Sequence, residues 1–132
     1  MLAETLLYRQ INPNFIDNGR ISSQVFVITS AVFKPTPKDN DLLSVYNGEK
    51  FSPESAHAHF TELGLKSVGV AAITNLECVI ENLEVINDND PFEGHCSVDF
   101  SGKSSNQKDK IAKKLKNYSI ARSKDSSGVF YG

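Results

Sequence analysis

A chain of 132 residues with 39% hydrophobic and 23% charged side chains has the length and composition of one globular domain, not of a disordered or fibrous segment. Its net charge of −2 conceals an asymmetry: residues 103–132 hold eight basic and two acidic side chains (+6), and the first 102 hold six and fourteen (−8). The longest apolar run, "VGVAAI" at 68–73, is far short of the about 20 residues that span a bilayer, and Glu4 stands where a secretory leader carries positive charge, so a cytoplasmic protein without a membrane segment is expected.

In chain order, "LLYRQI" (6–11) reads as a first strand that ends where Pro13 biases Asn12 out of helix. Asn18-Gly19 marks a turn. "SSQVFVITSAVF" (22–33), rich in β-branched and aromatic residues, is the longest strand candidate. The prolines of "KPTPKDND" make a loop, and "LLSVY" is a short strand closed by Asn47-Gly48. "SPESAHAHFTELG" has the marks of a helix, with Ser52 as N-cap, Pro53 at the first helical position, Glu54 and Glu62 bracketing the body and Gly64 at the stop. Ala56, Phe60 and Leu63 form its docking face.

"KSVGVAAI" is apolar enough for a central strand. Thr74 and Glu77 have capping-box spacing, which predicts a short helix over "TNLECVIENL". "EVIN" and "HCSVDF" are strands around the loop "DNDPFEG", "SSNQKDKIAKKLKNYSIAR" is a final helix, and "GVFYG" is a last edge strand. No repeat or long linker interrupts residues 1–132, so the expectation is a single α+β domain, with a mixed or mainly antiparallel sheet, two to three helices and a basic last helix.

Cys78 and Cys96 lie 18 residues apart without a CxxC, each among apolar neighbours, and are expected as buried thiols. "HCSVDF" puts His95, Ser97 and Asp99 on one strand face, the residue types of a hydrolytic triad. At about 3.3 Å per residue, Asp99 lies roughly 13 Å from His95, too far for the hydrogen bond that a triad requires. An amphipathic strand with Cys96, Val98 and Phe100 inward fits better. His57 and His59 sit on opposite sides of a helix and cannot share a metal; one of them with His95 and Glu93 or Asp99 is conceivable, but nothing requires it, and no metal is expected. GxxxxGK[ST], GxGxxG, GxSxG and HExxH are absent, and no cofactor is expected.

On the last helix, Ile111, Leu115 and Tyr118 make an apolar stripe, with Lys110, Lys113, Lys114 and Lys116 on the opposite side. Those lysines suit an acidic patch of another protein. A nucleic-acid backbone is disfavoured, because the chain has no Trp, the helix has only Arg122 among base-reading residues, and the pI near 5.9 is low for such a module.

"YRQ" on a first strand followed by "SS" on a second resembles the ADP-ribosyltransferase layout. That resemblance implies that Arg9 and Ser22 or Ser23 would hold NAD; Glu84 is the nearest counterpart of a catalytic Glu, without an ExE or QxE. "GRISSQVF", "PTPKDND" and "LLSVY" together resemble small bacterial proteins, which implies a bacterial or phage origin and transfers no functional residue. The leading expectation is a non-catalytic, protein-binding accessory, immunity or antitoxin-like factor. The alternative is a hydrolytic or ADP-ribosyltransferase-like enzyme, or a small-ligand binder, whose pocket would gather Arg9, Ser22, Ser23, His95, Ser97 and Asp99.

Overall fold

Alternating apolar side chains and three well-capped helix starts set the architecture. The computed structural model describes residues 1–17, 27–35 and 39–132. Along the chain run β1 (Leu6–Gln10), β2 (Ile16–Asp17), β3 (Val27–Ile28), β4 (Leu42–Asn47), α1 (Pro53–Glu62), β5 (Val70–Thr74), α2 (Asn75–Ile80), β6 (Glu84–Ile86), β7 (His95–Asp99) and α3 (Ser105–Arg122). Five strands form one sheet of order β5-β1-β4-β7-β6, antiparallel at every pairing, and β2 and β3 form a separate two-stranded ribbon. This is the α+β domain the sequence implies.

Side chains alternate across a strand, so register divides the sheet into two faces. Leu7, Leu43, Val45, Ile73, Cys96 and Val98 enter the main core, which α3 closes with Ile111, Ala112 and Leu115. The opposite face carries Tyr8, Tyr46, Val70 and Ala72 against Ala56 of α1, with half-buried Phe51, Phe60 and Phe92 around them. Each helix begins at a hydroxyl cap: Ser52, Thr74 and Ser104 accept the backbone N–H of Ser55, Glu77 and Gln107, whose side chains return the bond. Leu63 departs from its predicted place in the α1 docking face. It is the C-cap residue and is 58% exposed, because the helix has ended before its side chain can turn inward.

Three strand expectations change. Within 22–33, residues 22–26 lie outside the described residues, β3 covers only Val27–Ile28, and Ser30–Phe33 winds into a 3-10 helix that buries Val32 and Phe33 beneath α3. β5 is an edge strand instead of a central one, yet Val70, Ala71, Ala72 and Ile73 are fully buried. Its outer edge is covered by distant parts of the chain. The Ala72 N–H donates to Ser119 Oγ at 3.1 Å, and Arg122 Nη1 donates to the Ala72 carbonyl at 3.0 Å. The Val70 N–H donates to the Tyr131 carbonyl at 2.8 Å, and the Phe130 N–H to the Val70 carbonyl at 2.7 Å. "GVFYG" thus contributes a bridge between Val70 and Tyr131, not a full strand. Gly69 allows that approach, since a Cβ there would lie 2.1 Å from the Tyr131 carbonyl oxygen.

Ser119 is fully buried, and its hydroxyl donates to the Gly128 carbonyl at 3.0 Å. Ser119→Ala strands both partners and should cost about 1–3 kcal/mol, read as a lower urea midpoint at unchanged m-value. An unmoved midpoint would show that this hydroxyl does not close the edge.

Candidate functional site

β7 holds the sequence's most suggestive polar row, and alternation sends Cys96, Val98 and Phe100 into the core as expected. The other face is not open to water at His95 and Ser97, which are 8% and 4% exposed. The loop after β6 folds back over them and delivers Asp88. His95 Nδ1–H donates to Asp88 Oδ1 and Ser97 O–H to Asp88 Oδ2, each at 2.7 Å. Asp99, at the strand's end, instead accepts the Ser101 N–H at 2.8 Å. The acid that meets His95 therefore comes from the loop, not from the strand. No spacing rule flags it, although the Asn/Asp-rich stretch 87–90 seven residues before His95 is the kind of segment that turns a chain back.

Chemically, Asp88 fixes the imidazole tautomer and leaves Nε2 away from the carboxylate. The serine hydroxyl donates its hydrogen bond to the carboxylate, so the nucleophile-to-base contact of covalent catalysis is not made. Desolvation pushes the Asp88 carboxyl up, but the hydrogen bonds from His95 and Ser97 outweigh it and hold the carboxyl below the usual aspartate value. Phe92 of the same loop lies edge-on to His95 at 5.3 Å and 4.4 Å from His59, whose Nδ1 is hydrogen-bonded to the Tyr46 hydroxyl at 2.8 Å. His57 points elsewhere and donates from Nε2 to the Ser67 carbonyl at 3.0 Å. Among the described residues no three His, Cys, Asp or Glu side chains are grouped to hold a metal ion.

The other named residues do not join this cluster. Arg9 lies beyond Tyr8, where β1 and β4 stop pairing, and donates to the Val32 and Ser44 carbonyls. Ser22 and Ser23 lie outside the described residues. Cys78 and Cys96 are free and buried, with burial pushing their thiols up to about 12 and about 11, helped by Glu77 and by Asp88 with Glu49 respectively.

The α2–α3 surface is different in kind. α3 buries Ile111, Ala112, Leu115 and Ser119 and leaves Lys110, Lys113 and Lys114 exposed, with Lys116 half-buried. Lys114 pairs with Glu81 at 3.4 Å, whereas Lys110, Lys113 and Lys116 form no ion pair among the described residues. α2 sends Cys78 inward and aims Glu77 and Glu81, one turn apart, at Arg122, Lys114 and Tyr118 of α3. Its remaining side carries Leu76, Val79 and Ile80, 48%, 55% and 56% exposed. The sequence reading missed this strip, because "LECVI" looks like core until α2 is seen to bury only Cys78. No helix among the described residues is long and apolar enough to cross a membrane. Compared with protein-family models, curated proteins and solved structures, the chain matches none of them.

Asp88→Ala should destabilise the protein at neutral pH by about 1–3 kcal/mol, since it leaves Ser97 and His95 unpaired. A carboxyl held below its ordinary value stabilises fully above that value, and the contribution is lost as pH falls through the folded value. The gap between wild type and variant in urea unfolding should therefore narrow from about pH 5 towards about pH 2. A constant gap would mean that carboxylate charge does not hold the loop.

Proposed function

We propose that this chain works by binding another protein, as a cytoplasmic accessory, immunity or antitoxin-like factor of bacterial type, and that α2 and α3 form its docking surface. The observation that carries the reading is the exposed strip Leu76, Val79 and Ile80 set beside the lysine face of α3. Leu2 extends it, held near α2 by the Asn75 side chain donating to its carbonyl at 3.4 Å.

The partner implied is an acidic segment that presents aliphatic side chains. Covering an aliphatic residue fully contributes about 1.5–3 kcal/mol, whereas an exposed ion pair contributes about 0–1 kcal/mol. Affinity then comes from α2, and orientation and encounter rate from Lys110, Lys113 and Lys116. A phosphate backbone would use the lysines and gain nothing from the strip. A reducing compartment suits two free, buried thiols. The catalytic alternative has less support, because Ser97 is bonded to Asp88 and not to His95.

The test is affinity purification with the tagged chain, two surface variants and a control, Lys66→Glu, off the surface. Leu76→Ser with Val79→Ser should lower retention of the captured partner by at least about tenfold. Lys110→Glu with Lys113→Glu should lower it severalfold, with a loss that shrinks as salt is raised. Circular dichroism should stay unchanged. A partner retained equally by both variants removes this surface from the proposal.

A further inference from the structure

A groove lies where the sheet opens. β1 pairs with β5 along its whole length, from Leu6↔Thr74 to Gln10↔Val70, but with β4 only at Leu7↔Asn47 and Tyr8↔Tyr46. Beyond Tyr8 the two strands part, and the Arg9 side chain occupies the gap. Its Nε donates to the Val32 carbonyl at 2.8 Å and its Nη1 to the Ser44 carbonyl at 3.0 Å. A guanidinium carries five N–H donors, and these two bonds use two of them. Arg9 is also part of the wall of the groove, of about 630 Å3, whose lining includes Gln10, Phe15, Asp39, Phe60 and Lys66. That volume is in the range of small-molecule sites.

Three features define what the groove would take. Among the described lining residues, Arg9 and Lys66 against Asp39 give a net charge of +1, which one negative charge balances and a doubly charged phosphate exceeds. Desolvation by burial lowers the Arg9 pKa to about 10, opposed by Asp39, so the group stays cationic at neutral pH in a setting drier than bulk water. Gln10 adds a second, independent sign. Its Nε2 donates to the Ala56 carbonyl at 2.9 Å, while its buried Oε1 has no partner among the described residues. A buried acceptor without a donor is uncommon, and here it belongs to a groove wall. Phe15 and Phe60 supply apolar surface.

We propose that this groove binds a small monocarboxylate with an apolar body and a hydroxyl or N–H donor near the carboxylate. The guanidinium fork takes the two carboxylate oxygens, Lys66 closes over them, the rings hold the apolar part, and the donor satisfies Gln10 once its side chain turns toward the ligand. This site shares no residue with the α2–α3 surface and stands or falls independently of it.

The experiment is an amide-detected NMR titration of the full chain with 3-phenyllactate, carried to about 10 mM, where affinity down to the millimolar range is visible. Expected are saturable shifts centred on Arg9, Gln10, Phe60 and Lys66. Binding should weaken at least about tenfold for the neutral 3-phenyllactamide and for phenyl phosphate, and severalfold for 3-phenylpropionate, which lacks the hydroxyl. Lys66→Gln, at an exposed position, should weaken phenyllactate severalfold without unfolding the protein; Arg9→Lys tests the fork directly, and the lysine variant keeps the test decisive should Arg9→Lys fail to fold. Absent or scattered shifts, equal binding of the amide, or tighter binding of phenyl phosphate would overturn the proposal. Equal binding of 3-phenylpropionate would overturn the role of Gln10.

Discussion

The outer edge of β5 is the constraint on which the arrangement turns. An edge strand presents N–H and C=O groups that must be paired, solvated or covered, and β5 is too apolar to be left in water. Ser119 and Arg122 lie one helical turn apart, so both reach Ala72, one accepting its N–H and the other donating to its carbonyl. With those two positions fixed against the sheet, Ile111, Ala112 and Leu115 are turned into the core and Lys110, Lys113 and Lys114 outward. Arg122 also grips Glu77, which sets α2 alongside α3 with Cys78 inward. Leu76, Val79 and Ile80 are then left on the outside. The exposed strip is a geometric consequence of closing the edge.

β7 obeys a second constraint of the same kind. Its polar face cannot rest on an apolar layer without partners, and Asp88 supplies them to two residues at once. A carboxylate divided between an imidazole and a hydroxyl positions both. Phe92, four residues further along the loop, packs between His59 and His95, so polar pairing and aromatic packing hold the same segment down. The residue types of a hydrolase are present, but their hydrogen bonds connect loop to sheet.

What the sequence disclosed and what it withheld divide by range. Caps at Ser52 and Thr74 and the alternation of "HCSVDF" are local patterns, and each was legible. The place of β5 was not, because the groups that cover its edge lie 47 and 50 residues away and apolar content alone reads as a central strand. The stretch Ser30–Phe33 has the composition of a strand and winds into a 3-10 turn because packing under α3 overrides propensity. The lysine face was visible from helical periodicity. The apolar strip beside it, Asp88 over His95, and the parting of β1 and β4 at Arg9 all depend on tertiary placement, and no residue pattern announces them.

The charge asymmetry along the chain changes meaning once the fold is known. A C-terminal segment (103–132) of +6 against a body of −8 suggests a partner outside the molecule, yet part of it is satisfied within. Lys108 meets Asp41, Lys114 meets Glu81 and Arg122 meets Glu77, so acids of the body hold α3 in place. Each of those acids precedes residue 103. Opposite charges on separate segments thus tie the last helix to the body. Lys110, Lys113 and Lys116 stand apart from that internal pairing. Their charge acts through solvent over about one Debye length, roughly 8 Å.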